Sequence, residues 1–121
     1  MQILTYHKVG PKFDLGITYQ SRSQFYTSFK KLKEEGFCAV NLEQADNPQK
    51  DLPQKSFAIT FDDGYENIYT CAFPALQELG FSATVFIVSG FIGKYNFWDF
   101  NFGRKGFRHL SWEQIKEMAN Y

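Results

Sequence analysis

The chain has 121 residues, enough for one domain with a modest core and no more. Thirteen Lys and Arg balance thirteen Asp and Glu, which removes any bulk attraction to nucleic acid or an anionic membrane. Fourteen Phe, seven Tyr and two Trp concentrate burial in few residues, and such side chains also line carbohydrate surfaces.

No run approaches the roughly 18 apolar residues of a membrane span, so no span is expected. Met1–His7 has neither the basic start nor the apolar run of a signal peptide. A cytoplasmic location is therefore the expectation, with a cell-envelope role compatible. Cys38 and Cys71 are too few for a Cys-based zinc site and are expected as buried free thiols. The basic cluster Lys30-Lys31-x-Lys33 is followed by Glu34 and Glu35 and reads as a solvated helix face.

Taken in order, Gln2–Tyr6 reads as a first strand, left through a turn over residues 6–11. Ser21-x-x-Gln24 is a capping-box pattern, and Phe25, Phe29 and Leu32 follow at helical spacing up to Gly36. Residues 37–42 read as a second strand and 43–54 as a surface connection. The run Phe57-Ala58-Ile59-Thr60-Phe61 is apolar on both faces, as in a covered parallel strand. A helical turn over 66–73 precedes a helix with Pro74 in its first turn, carrying Leu76 and Leu79 and stopped by Gly80. Residues 82–88 form another strand. Residues 89–108 are irregular and carry Phe91, Tyr95, Phe97, Trp98, Phe100, Phe102 and Phe107. Ser111-x-x-Gln114 then opens a helix with Ile115 and Met118, inside which the chain ends at Tyr121.

Strands alternating with helices imply right-handed βαβ units and a parallel α/β sheet, with ligands at the carboxyl ends of its strands. His7, the pair Asp62-Asp63 and the aromatic loop after Val88 all fall on that rim. The two carboxylates cannot continue into the interior unpaired, so the strand must end at Asp62, and Gly64 supplies a sharp turn. Crowded carboxylates suit a divalent cation, one as ligand and the other as base. They also suit a turn that caps the next helix. His7 reads either as a satisfied polar residue or as a member of the site's first or second shell. Gly64 and Tyr65 share its position at the rim. His109 reads as a residue outside the last helix rather than a metal ligand. The aromatic loop either stacks on sugar rings, with Trp98 the residue to test, or covers one end of the sheet.

Tyr6-His7-Lys8-Val9, Thr60-Phe61-Asp62-Asp63-Gly64-Tyr65, Pro74-Ala75-Leu76, Ala83-Thr84-Val85-Phe86-Ile87 and Leu110-Ser111-Trp112-Glu113-Gln114-Ile115 together resemble the polysaccharide deacetylase family of metal-dependent carbohydrate esterases. The resemblance implies part of a distorted (β/α) barrel, with residues 1–121 as its N-terminal portion. It implies hydrolysis of a non-peptide carbon–nitrogen bond, the deacetylation of N-acetylated oligo- or polysaccharides. By the match, Asp62 corresponds to the catalytic base and Asp63 to a metal ligand. The family's other ligands are two histidines in a His-(Ser/Thr)-x-x-His motif, and later motifs supply an arginine and a histidine acid. This chain contains only His7 and His109. The resemblance therefore implies an incomplete site, with a divalent metal, zinc, held only if the missing ligands are supplied.

A second expectation is a non-catalytic half-barrel that binds or assembles, pairing as a homo-oligomer through an exposed sheet edge. A phosphohydrolase with an aspartyl nucleophile ranks below both, because its two Asp residues alternate whereas these are adjacent.

Overall fold

A computed structural model of the protein describes residues 1–10, 19–47, 51–98 and 106–121. Phe100 and Phe102 of the aromatic loop lie outside these residues. The central strand is β5 (Ser56–Phe61), and β1 (Gln2–Tyr6) runs parallel along one edge of it, in register from Gln2–Phe57 to Tyr6–Phe61. The other edge is shared. There β4 (Cys38–Ala39) meets Ser56 and Phe57, and β6 (Thr84–Val85) meets Thr60 and Phe61, both in parallel. Every pairing of this sheet is thus parallel, as the alternation of elements predicts.

Alternation along β5 sorts its side chains. Phe57, Ile59 and Phe61 share one face and are buried with Phe25, Phe29 and Phe81. Phe25 and Phe29 come from α1 (Arg22–Glu34), and Phe81 follows α3 (Phe73–Leu79). Ring centroids lie 4.6 Å apart for Phe25–Phe29, 5.3 Å for Tyr6–Phe25 and 5.4 Å for Phe57–Phe81. These separations are ordinary for offset and edge-on aromatic pairs. On the opposite face Thr60 donates to Thr5 at 2.9 Å, while Ile3 on the same face of β1 is 53% exposed.

Helix ends follow local chemistry. Ser21 caps α1 by accepting from Gln24 N–H, but the reciprocal bond of a capping box is not made; the Ser21 hydroxyl donates to Gln24 Oε1 instead. Gly36 takes a φ of 81°. Phe37 N–H then reaches Leu32 O and Gly36 N–H reaches Lys33 O, the Schellman closure that a glycine permits. The box at α4 (Trp112–Ala119) is complete: Ser111 and Gln114 satisfy each other's backbone N–H. At this helix start, hydrogen bonding to backbone N–H and to the Ser111 hydroxyl holds the Glu113 carboxyl below its ordinary range.

Several sequence expectations are corrected. Residues 8–10 and 19–21 form a small parallel sheet of their own, β2 (Lys8–Gly10) with β3 (Tyr19–Ser21), where a turn was expected. The second strand is only β4, because Asn41 and Gln44 form a capping box that turns Leu42–Ala45 into the short helix α2. Cys38 is exposed rather than buried, while Cys71 is buried. Pro74 does lie in the first turn of a helix that Gly80 stops, but that helix, α3, has no free start. A π-helical turn over Ile68–Ala72 runs directly into α3, with Phe73 N–H bonded to Ile68 O. Pro74 has no N–H to give to residue 70 and would clash with its carbonyl, and the wider turn absorbs the misfit. The strand expected over 82–88 narrows to β6, beyond which Phe86 and Ile87 are exposed. The last helix ends at Ala119, two residues before Tyr121.

An apolar groove of about 260 Å³ opens beside β6, lined by residues that include Phe61, Leu76, Val85, Ile115 and Met118. Among the described residues no helix is long and apolar enough to cross a membrane.

Two stability outcomes follow. Phe29→Ala should cost about 3–5 kcal/mol in urea unfolding, because the side chain is fully buried in the aromatic core; a loss below about 1 kcal/mol would contradict that packing. Gly64 and Gly93 have φ of 61° and 73°, so an alanine at either pays about 1–2 kcal/mol for the left-handed backbone. At Gly64 a Cβ would also stand 3.0 Å from Ile87 Cγ2, whereas at Gly93 it would meet open space. Gly64→Ala should therefore be the more damaging by thermal unfolding, and equal losses would refute the close approach of Ile87.

Candidate active site

The register of β1 on β5 builds the site. Tyr6 pairs with Phe61, and Asp62 N–H donates to Tyr6 O at 2.9 Å as the next rung. The residues that follow, His7 and Asp62, consequently stand side by side at the carboxyl ends of adjacent strands. His7 Nε2 lies 3.7 Å from Asp62 Oδ2, with the two side chains 33% and 39% exposed. This spacing is too long for a hydrogen bond and leaves the carboxylate's hydrogen-bonding capacity available to a third group. Tyr6 beneath them is not a ready proton donor, because burial raises its phenol above the ordinary value.

β5 stops immediately after this pair. Asp63 has a φ of 66° and Gly64 a φ of 61°. Two successive positive φ values are those of a type I′ turn, for which Asp-Gly is a favoured sequence. Asp63 is the one non-glycine residue with positive φ among those described. Aspartate tolerates this region better than most residues, but the conformation still stores strain.

A segment without helical or strand periodicity in the sequence supports the turn from behind. Leu110 N–H donates to Gly64 O and Glu66 N–H to Arg108 O, while on the other side Asn96 N–H donates to Phe107 O, His109 N–H to Lys94 O and Gly93 N–H to Leu110 O. Residues 107–110 thus lie between 64–66 and 93–96 as a narrow antiparallel patch. Alternation in this strip runs against hydrophobicity, with Tyr95 and Phe97 exposed and Asn96 buried, so the sequence carries no sign of it.

The expected rim residues divide into two groups. His7 and Asp62 are brought together and open to solvent. Gly64 and Tyr65 are buried, so they lie under the rim and not on it. Tyr65 accepts a hydrogen bond from Asn96 Nδ2 at 3.1 Å and packs on His109 with centroids 4.9 Å apart. Trp98 is 43% exposed and stands edge-on to Phe91 at 4.6 Å. It sits 5.3 Å from His109, so the aromatic loop packs onto the patch that backs the turn. His109 was not expected at the site at all. It is buried, and its Nδ1 lies 2.7 Å from the Asp63 carbonyl oxygen.

The donor types at the rim, two carboxylates and an imidazole, fit a divalent cation in kind. They do not fit in number, because no group of three His, Cys, Asp or Glu side chains among the described residues is placed to hold one.

Comparison with known proteins identifies a family. The polysaccharide deacetylase family pattern matches residues 49–121, more than half of the chain. YxkH of Bacillus subtilis is 30% identical over 124 residues, covering 100% of this chain and 39% of that protein. The poly-beta-1,6-N-acetyl-D-glucosamine N-deacetylase of Staphylococcus aureus is 33% identical over 100 residues, covering 81% of this chain and 32% of that one. The structure of IcaB from Ammonifex degensii superposes with a TM-score of 0.82 at 32% identity, over 98% of this chain and 48% of its own. The chain therefore spans less than half the length of these relatives, and its α/β fold is that of about half of the IcaB structure. The family is generally metal-dependent. On its sequence, its fold and the Thr60–Tyr65 turn that both produce, the chain belongs to the polysaccharide deacetylase family.

Proposed function

We propose that this chain supplies the acid–base portion of an N-deacetylase site acting on N-acetylated sugar polymers, with poly-N-acetylglucosamine the substrate class. The observation that carries the reading is the 3.7 Å approach of His7 to Asp62 at the carboxyl ends of β1 and β5. The substrate class is supported by relatives such as the Staphylococcus aureus deacetylase, whose name states it.

Asp62 acts as the base. A carboxylate at a half-exposed strand end can take a proton from a water that attacks the acetamide carbonyl. His7 beside it stabilises the carboxylate when charged, and its ring can pass a proton toward the departing amine. Amide hydrolysis needs both transfers, one from the water and one to the leaving nitrogen, and adjacent groups of different type meet that need. Asp63 is the residue here that would contribute a ligand to a divalent metal, with zinc the metal the family resemblance implies. The described residues supply no full coordination shell, so these carboxylates and the imidazole are this chain's share of the chemistry. Trp98, half-exposed on its aromatic support, offers a face for a sugar ring.

The test is turnover of N-acetylglucosamine oligomers by the full-length protein, measured as released acetate. Asp62→Asn should lower kcat by about 10²–10⁴-fold, and Trp98→Ala should raise KM with a smaller change in kcat. Unchanged turnover in Asp62→Asn would sink the assignment.

A further inference from the structure

His109 belongs to no motif that carried the family resemblance, yet it holds the residue on which the turn depends. Its side chain is 2% exposed, and its Nδ1 is 2.7 Å from the Asp63 carbonyl oxygen. A carbonyl can only accept, so Nδ1 bears the proton and donates. Nε2, on the other side of the ring, is buried and has no hydrogen-bond partner among the described residues. Tyr65, Phe91 and Trp98 enclose the ring at centroid distances of 4.9, 5.5 and 5.3 Å.

The hydrogen bond falls on the strained residue. Asp63 holds a φ of 66°, and such a conformation persists only where its surroundings over-determine it. Two adjacent carbonyls of the turn are gripped from the same segment: Asp63 O by the His109 ring and Gly64 O by Leu110 N–H at 2.9 Å. The backbone of His109 is itself anchored, through its bridge to Tyr65 and its bond to Lys94 O.

We propose that His109 is a positioning residue of this site: by donating Nδ1–H to the Asp63 carbonyl it locks the left-handed turn and so sets the aim of Asp62 and Asp63. It reaches the reaction only through this backbone contact. The inference rests on the deacetylase reading for its catalytic consequence, but the hydrogen bond itself is testable without it.

The experiment combines nitrogen-15 spectra of the histidine rings with steady-state kinetics on N-acetylglucosamine oligomers, both in the full-length protein. The wild-type His109 ring should carry a proton on Nδ1, and the Gly64 amide resonance should shift in His109→Leu as the Asp63 carbonyl loses its donor. Asparagine places an amide N–H at the same branch point as Nδ1, whereas glutamine places it one bond farther out. His109→Leu and His109→Gln should therefore lower kcat about 10- to 100-fold with KM little changed, and His109→Asn should recover most of it. An Nε2–H tautomer in the wild type would overturn the proposal whatever the variants do. Equal losses in all three variants would also overturn it, because burial rather than the donor would then be what matters. If Asp62→Asn retained full turnover, the deacetylase reading would fall, and the tautomer and the Gly64 shift would still decide the role of His109.

Discussion

The hydrogen bond from Asp62 N–H to Tyr6 O is the rung on which the site depends. It is the last of the β1–β5 ladder, and it fixes the level at which both strands emerge. A slip of one residue would exchange the two faces of β1 against β5. Leu4 and Tyr6 would leave the aromatic core, and His7 would no longer meet Asp62. The placement of the His7–Asp62 pair and the core packing are thus set by the same register, so the apolar face of the sheet protects the polar pair at its end.

That register is defended by aromatic packing. Tyr6 touches Phe25, Phe29 and Phe61, with centroids between 5.3 and 5.9 Å. These rings give β1 a preferred face even though its opposite face, with Ile3, meets solvent. Beyond the rung the backbone reverses through two left-handed residues, and here packing gives way to hydrogen bonding. The Asp63 and Gly64 carbonyls are both held by residues 109 and 110. The site therefore has two supports of different kind: a hydrophobic one behind the strand and a polar one behind the turn.

Much of this was legible in the sequence. The both-face apolar run of residues 57–61 gave the buried parallel strand, and Asp-Asp-Gly gave its abrupt end. The Ser111 box and Gly36 gave helix boundaries because caps act locally, on backbone groups a few residues away. What was not legible depends on distant partners. The short parallel sheet of Lys8–Gly10 with Tyr19–Ser21 has only three pairs, too few to leave a periodic trace. Residues 82–88 look like a long strand, but only the stretch that meets Thr60 and Phe61 is paired. Pro74 marks the first turn of α3 as the sequence suggests, but nothing local announces the π turn that runs into it. His109 looked peripheral because its partner is a backbone carbonyl 46 residues earlier, and no side-chain pattern reports such a contact.

The account's central claim is that His7 and Asp62 act as one unit because the strand register places them together. A double-mutant cycle in the full-length protein measures this most directly, comparing His7→Gln, Asp62→Asn and the pair by kcat/KM on N-acetylglucosamine oligomers. Residues that act as a unit are strongly non-additive, so the double variant should lose little more than Asp62→Asn alone. Losses that simply add would show two independent groups and contradict the coupling that the 3.7 Å approach implies.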